Sequence, residues 1–128
     1  MHIIERRQDD DGDVTLTVEL DARTAADTTR IMSNALTSPS VASFCVSASF
    51  GEIGGSGIIA DDTSKLPEFV KQFERYGLDG TDGYIVIGDE RVSFFSYDVN
   101  KVTLIVPQEV ENDVIGILET AESQARGE

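Results

Sequence analysis

Between residues 14 and 20 the chain alternates: Val14, Leu16, Val18 and Leu20 are separated by Thr15, Thr17 and Glu19. A period of two places the apolar set on one face of an extended strand and the polar set on the other. A second alternation covers 41–50, where Phe44, Val46, Ala48 and Phe50 oppose Ser43, Cys45, Ser47 and Ser49. The Gly-rich stretch from Gly51 to Gly57 then leads into Ile58-Ile59-Ala60, so a hairpin is predicted there. Three strands follow in a row at Tyr84–Gly88, Val92–Tyr97 and Val102–Val106. Asp89-Glu90 joins the first pair and Asp98 to Lys101 the second, which predicts a meander.

Three other segments carry helical spacing. Residues 22–36 are rich in Ala, with Ile31, Met32 and Leu36 near the end. Asp21 is placed to cap this helix, and Ser38-Pro39 stops it. Asp61-Asp62-Thr63-Ser64 opens a second helix, whose stripe is Leu66, Phe69, Val70, Phe73 and Tyr76. The third runs from about Gln108 to Ala125, with Val110, Val114, Ile117, Leu118 and Ala121 on its apolar side. Glu109, Glu111 and Asp113 stand near its start, where the positive end of the helix dipole favours acids.

The predicted order is β-α-β-β-α-β, then β-β-α. In order alone, the first six elements resemble the ferredoxin-like split βαβ, an arrangement many unrelated functions share. The expected fold class is therefore α+β. It would be a ferredoxin-like βαββαβ order extended by a β-β-α unit, with a mixed, mostly antiparallel sheet and helices packed on it. The rival is a less regular α+β sheet with helices on one face. No Pro-, Gly- or Ser-rich linker divides the chain, so residues 1–128 are expected as one domain. Residues 1–13 are expected as a flexible acidic N-terminal segment.

Composition narrows the function classes. In a chain of 128 residues, 40% apolar content argues against wholesale disorder. Acids outnumber bases 24 to 10, a formal charge of −14, which opposes any direct grip on nucleic-acid phosphates or anionic lipid. The one cysteine, Cys45, excludes an intrachain disulfide and a Cys-based zinc cluster. The one histidine, His2, argues against a serine or cysteine triad. No secretory leader, membrane span or lipidation signal is read, so the expected location is cytoplasmic.

Motifs add little. Gly55-Ser56-Gly57-Ile58-Ile59-Ala60 fits G-x-G-x-x-A but runs into a strand, whereas dinucleotide binding needs it to open a helix. Aligning Gly12 of Asp9-Asp10-Asp11-Gly12-Asp13 with a calcium-loop glycine puts Arg7 and Val18 at ligand positions, so an EF-hand is excluded. Asp79-Gly80-Thr81 matches the end of a phosphatase signature whose nucleophile position is Gly77. Cys45 alternates with serines and reads as structural. No catalytic group, cofactor or metal ligand is assigned.

The sharper statement comes from strand directions. If the first strand points up, alternation gathers Asp9, Asp10, Asp11, Asp13, Asp61, Asp62, Asp89, Glu90, Glu109, Glu111 and Asp113 at the lower end. Few bases are near them: Arg6, Arg7, Lys65 and Arg91. Like charges so gathered repel. Such a pole suits solubility, a salty cytoplasm or a basic partner. The preferred reading is a non-catalytic acidic module, an inhibitor or immunity-type protein that docks on a basic nucleic-acid-handling protein such as a nuclease toxin. Asp61, Asp62, Asp89, Glu90, Glu109 and Glu111 would meet that partner. Phe95 and Tyr97, on the second face of the meander, would add apolar anchoring or a contact with a second copy. The alternatives are salt adaptation with an unrelated role, or a small-molecule sensor or enzyme.

Overall fold

The computed structural model describes residues 1–48, 58–67, 79–96 and 98–127. Its elements are β1 (His2–Gln8), β2 (Asp13–Glu19), α1 (Ala25–Leu36), β3 (Ser43–Ala48), β4 (Ile58–Ala60), β5 (Thr81–Ile87), β6 (Glu90–Ser96), β7 (Lys101–Pro107), a 3-10 turn (Gln108–Val110) and α2 (Glu111–Ala125). Seven strands form one sheet in the order β1-β2-β7-β6-β5-β3-β4. Every neighbouring pair is antiparallel.

The class is α+β, as expected, but the strand order departs from the split βαβ. Strand β2 lies between β1 and β7, and β7, β6 and β5 separate it from the β3–β4 hairpin. The reason is the meander. It supplies three consecutive strands, and β7, with Val102, Leu104 and Val106 all buried, takes the place beside β2. Residues 2–8 also differ from expectation, since they form an edge strand paired with β2 in place of a flexible segment. The backbone groups of β2 that face away from β7 need partners, and β1 provides them.

Period-two burial runs through the central strands. Val14, Leu16 and Val18 of β2 are buried together with Val92 and Phe94 of β6 and Ile85 and Ile87 of β5. These residues share one core with Ile31, Met32, Ala35 and Leu36 of α1 and with Val114, Ile117, Leu118 and Ala121 of α2. Fully burying a Val, Leu, Ile, Met or Phe side chain contributes roughly 1.5–3 kcal/mol. Asn34 ties the helices together by donating from Nδ2 to the Ala121 carbonyl at 3.1 Å.

Helix α1 starts later than the sequence suggested. Its cap is Thr24, whose hydroxyl accepts from the Asp27 amide at 3.1 Å, while Asp27 accepts from the Arg23 amide at 3.2 Å. Asp21 does not cap; its amide donates to Glu122 instead. The threonines that count against a helix are accommodated by internal bonding. The hydroxyls of Thr28 and Thr29 donate to the carbonyls of Thr24 and Ala25, so both residues are buried without an unmet donor. The helix read over Leu66 to Tyr76, and the Gly51–Gly57 turn, fall largely or wholly outside the described residues.

Candidate functional site: an acidic rim at one end of the sheet

The antiparallel order fixes which loops share an end. With β2 pointing up, the lower end receives the β1–β2 turn, the exit of β4, the β5–β6 turn and the passage from β7 into α2. The carboxylates named from the sequence therefore do lie at one end of the sheet. They form a rim, because the contributing strands run from one edge to the other. Six inter-strand steps separate β1 from β4, about 29 Å at the usual spacing.

At the β1 edge, Asp9, Asp10, Asp11 and Asp13 crowd one turn. Asp9 accepts from the Thr15 hydroxyl at 3.1 Å and pairs with Arg7 at 3.2 Å. Asp11 accepts from the Asp13 amide at 3.0 Å. The turn touches the start of the last helical segment, where the Gln108 amide donates to the Gly12 carbonyl at 3.3 Å. There Glu111 receives Arg6 through both oxygens, at 2.7 and 2.9 Å. Glu109 and Asp113 are exposed beside it.

In the middle of the rim, Gly88 and Asp89 form a two-residue turn between Ile87 and Glu90. Gly88 has φ 61°, which suits the first position of a type II′ turn. Glu90 is thus the first residue of β6, half-buried, and Asp89 alone stands at the tip with Gly88. Arg91 does not neutralise them. Its guanidinium stacks over the Tyr84 ring, 4.0 Å from the centroid.

At the β4 edge, Asp61 pairs with Lys65 at 2.7 Å, and both side chains are more than half exposed. Asp62 turns inward on its own loop and accepts from the Ser64 amide at 2.8 Å and the Lys65 amide at 3.2 Å. The Ser64 hydroxyl and these amides hold the Asp62 carboxyl below the usual carboxylate range. Asp61 in turn raises the Lys65 ammonium. Among the described residues, no ion pair forms at Asp10, Asp11, Asp13, Asp62, Asp89, Glu90, Glu109 or Asp113. At the upper end Asp21 meets Arg126 and Asp98 meets Lys101.

The Arg6 guanidinium, by its two hydrogen bonds and its charge, lowers the Glu111 carboxyl. A group lowered in the folded state contributes stability above its unfolded value, and that contribution fades as pH falls through the lowered value. Glu111→Gln is expected to lower the melting temperature at neutral pH and to flatten the acid limb of stability against pH. Thermal melts across an acid series check this; an acid limb identical to the parent's would show that the pair contributes nothing.

The aromatic residues lie elsewhere. Phe95 sits opposite Asp82 and Thr103 on the face away from the helices, half-buried. From Glu90 to Phe95 is about 17 Å along β6, so Phe95 and the rim do not make one compact patch. Tyr97 lies outside the described residues.

Sequence reasoning missed a groove at the β4 edge. It holds 340 Å³ and lies between the end of α1, the entry to β3 and the Asp61–Thr63 turn. Leu36, Val41 and Phe44 give it an apolar floor, and Asp61 and Asp62 an acidic lip. The signal in the sequence was Val41 beside Phe44: two apolar residues that open a strand on the same end as a run of acids.

Among the described residues, no group of three or more His, Cys, Asp or Glu is placed to hold a metal ion. No helix there is long and apolar enough to cross a membrane. No family model, curated protein or solved structure gives a significant match to the chain.

Proposed function

We propose that this protein is a non-catalytic acidic module whose lower rim docks on a basic surface of a nucleic-acid-handling protein, as an inhibitor or immunity-type partner. The supporting observation is the gathering of carboxylates from four separate chain passages at one end, most of them without an ion-pair partner among the described residues. Unpaired like charges cost stability, and a basic partner would relieve that cost while speeding encounter by long-range attraction.

The test uses purified small basic nuclease domains, with binding and inhibition followed across a salt series. Stoichiometric inhibition is expected, with association slowing as salt rises. A triple variant, Asp89→Lys, Glu90→Lys and Glu109→Lys, removes none of the ion pairs described above. Its association is expected to slow at least tenfold at low salt, within the range that electrostatic steering supplies, and to match the parent at high salt. Association that ignores the reversal, or no domain bound at low salt, would discard the docking role.

A second reading is salt adaptation, favoured by three lysines against seven arginines in a chain with 24 acids. It predicts a fold that loosens when salt is withdrawn, which circular dichroism at low ionic strength would reveal.

A further inference from the structure

We infer that the groove at the β4 edge is a receptor for an arginine side chain presented by the basic partner. The inference rests on the docking role and adds its anchor point. Three features combine there. The floor is the half-buried Val41, backed by the nearly covered Leu36 and Phe44, and it offers apolar surface to the methylene stem of a long cationic side chain. The lip supplies two carboxylates from adjacent positions: Asp61, and Asp62, whose Oδ1 is held by the Ser64 and Lys65 amides. The wall is the C-terminal end of α1, a 12-residue helix with no basic residue in its last turn. The Ser33 and Ala35 carbonyls at that end accept from Thr37 and Ser38, and the residual negative end of the helix dipole favours a cation beside Leu36 and Thr37.

The chain already shows a cation at this lip. The Lys65 ammonium sits on Asp61 at 2.7 Å, yet its side chain is 53% exposed and reaches from only four residues away. An exposed pair of this kind is worth little and is easily displaced. Arginine suits the groove better than lysine. Its planar fork can engage a carboxylate at two points, and it sheds water more readily over an apolar floor.

The probes are a nona-arginine and a nona-lysine peptide, titrated into the isotopically labelled protein at one moderate salt concentration. Nona-arginine is expected to bind roughly fivefold more tightly, because bidentate charge-assisted bonds form only with the guanidinium. Amide shifts are expected at residues 36–44 and 61–63. Asp61→Asn and the uncharged change Val41→Ser should each weaken nona-arginine binding severalfold, while amide spectra elsewhere keep the folded pattern. Val41→Ser is the discriminating variant, since long-range attraction alone is indifferent to it. Shifts confined to residues 9–13 and 109–113, or equal affinity for the two peptides, would overturn the arginine site and leave the acidic docking role standing. Absence of saturable binding by either peptide at low salt would overturn both.

Discussion

Replacing Gly83 by alanine should destabilise the protein by about 3 kcal/mol or more, at the upper end of what overpacking usually costs. A Cβ at this position would stand 2.1 Å from the Cys45 carbonyl oxygen and 2.9 Å from the Val46 Cα. Both are backbone atoms of β3, so no rotamer change relieves the clash. Strand β3 would have to move off β5, and β4, whose only described neighbour is β3, would move with it. The β4-edge groove would open at the same time. A loss of this size lowers the melting temperature by roughly 10 °C. Gly116 is the control, because it lies exposed within α2 and a Cβ there meets nothing within 4 Å. Gly116→Ala should stabilise by about 0.8 kcal/mol through helix propensity alone. Paired thermal melts check both changes, and a Gly83→Ala protein that melts like the parent would refute the close approach of β3 and β5.

The second large effect is expected at Glu122. This glutamate is 2% exposed, on the same side of α2 as Leu118 and Ala121. One oxygen receives the Met1 ammonium at 2.7 Å and the other the Asp21 amide at 2.6 Å. The carboxylate thereby joins α2 to the start of β1 and to the segment leading into α1. Removing one member of a buried pair typically costs about 3–5 kcal/mol, because the other is left uncompensated. Glu122→Ala should fall near the lower figure, since a groove beside Met1 and Glu122 admits water. Glu122→Gln keeps the shape and one acceptor but loses the charge, and should cost about 1.5 kcal/mol. Denaturant midpoints give the magnitudes. Hydrogen exchange along β1 gives the location, with faster exchange expected there in both variants. Unchanged exchange in β1 would mean that Glu122 does not hold that edge.

These two sites show where a sequence speaks and where it is silent. Strand β2 was legible because its burial alternates and its residues alternate with it. Strand β1 was not, because every residue from His2 to Gln8 is exposed, so no burial rhythm marks it. It is specified by the hydrogen-bonding edge of β2, a property of another segment. Glu122 was hidden for the opposite reason. It falls one turn after Leu118 on the apolar stripe, and a charged residue there looks like the stripe's polar border until its partners are known. The strand order could not be read from local pattern at all. The alternations of β2 and β7 are the same whether or not the two strands are neighbours.

The lower end was legible as an end, because strand directions follow from counting hairpins and crossovers. Its extent was not. Whether the acids of the β1–β2 turn and of the β4 exit stand together depends on how many strands lie between them, and four do. The pairing of Glu111 with Arg6, from residues over a hundred positions apart, likewise depends on β1 being a strand. Phe95 was placed correctly on the second face by alternation, but its distance from the rim along β6 separates it from the acids.

The longest-range pairing of the sheet, residues 13–19 with residues 101–107, has a consequence for biosynthesis. On the ribosome, the β1–β2 hairpin emerges well before β7, its neighbour in the sheet. Until then the edge of β2 that β7 will pair lacks its partner, and contacts this distant in the chain form slowly. An unpaired strand edge of this kind makes incomplete chains prone to associate. The Asp9–Asp13 cluster leaves the tunnel alongside that hairpin, and like charges on neighbouring chains repel.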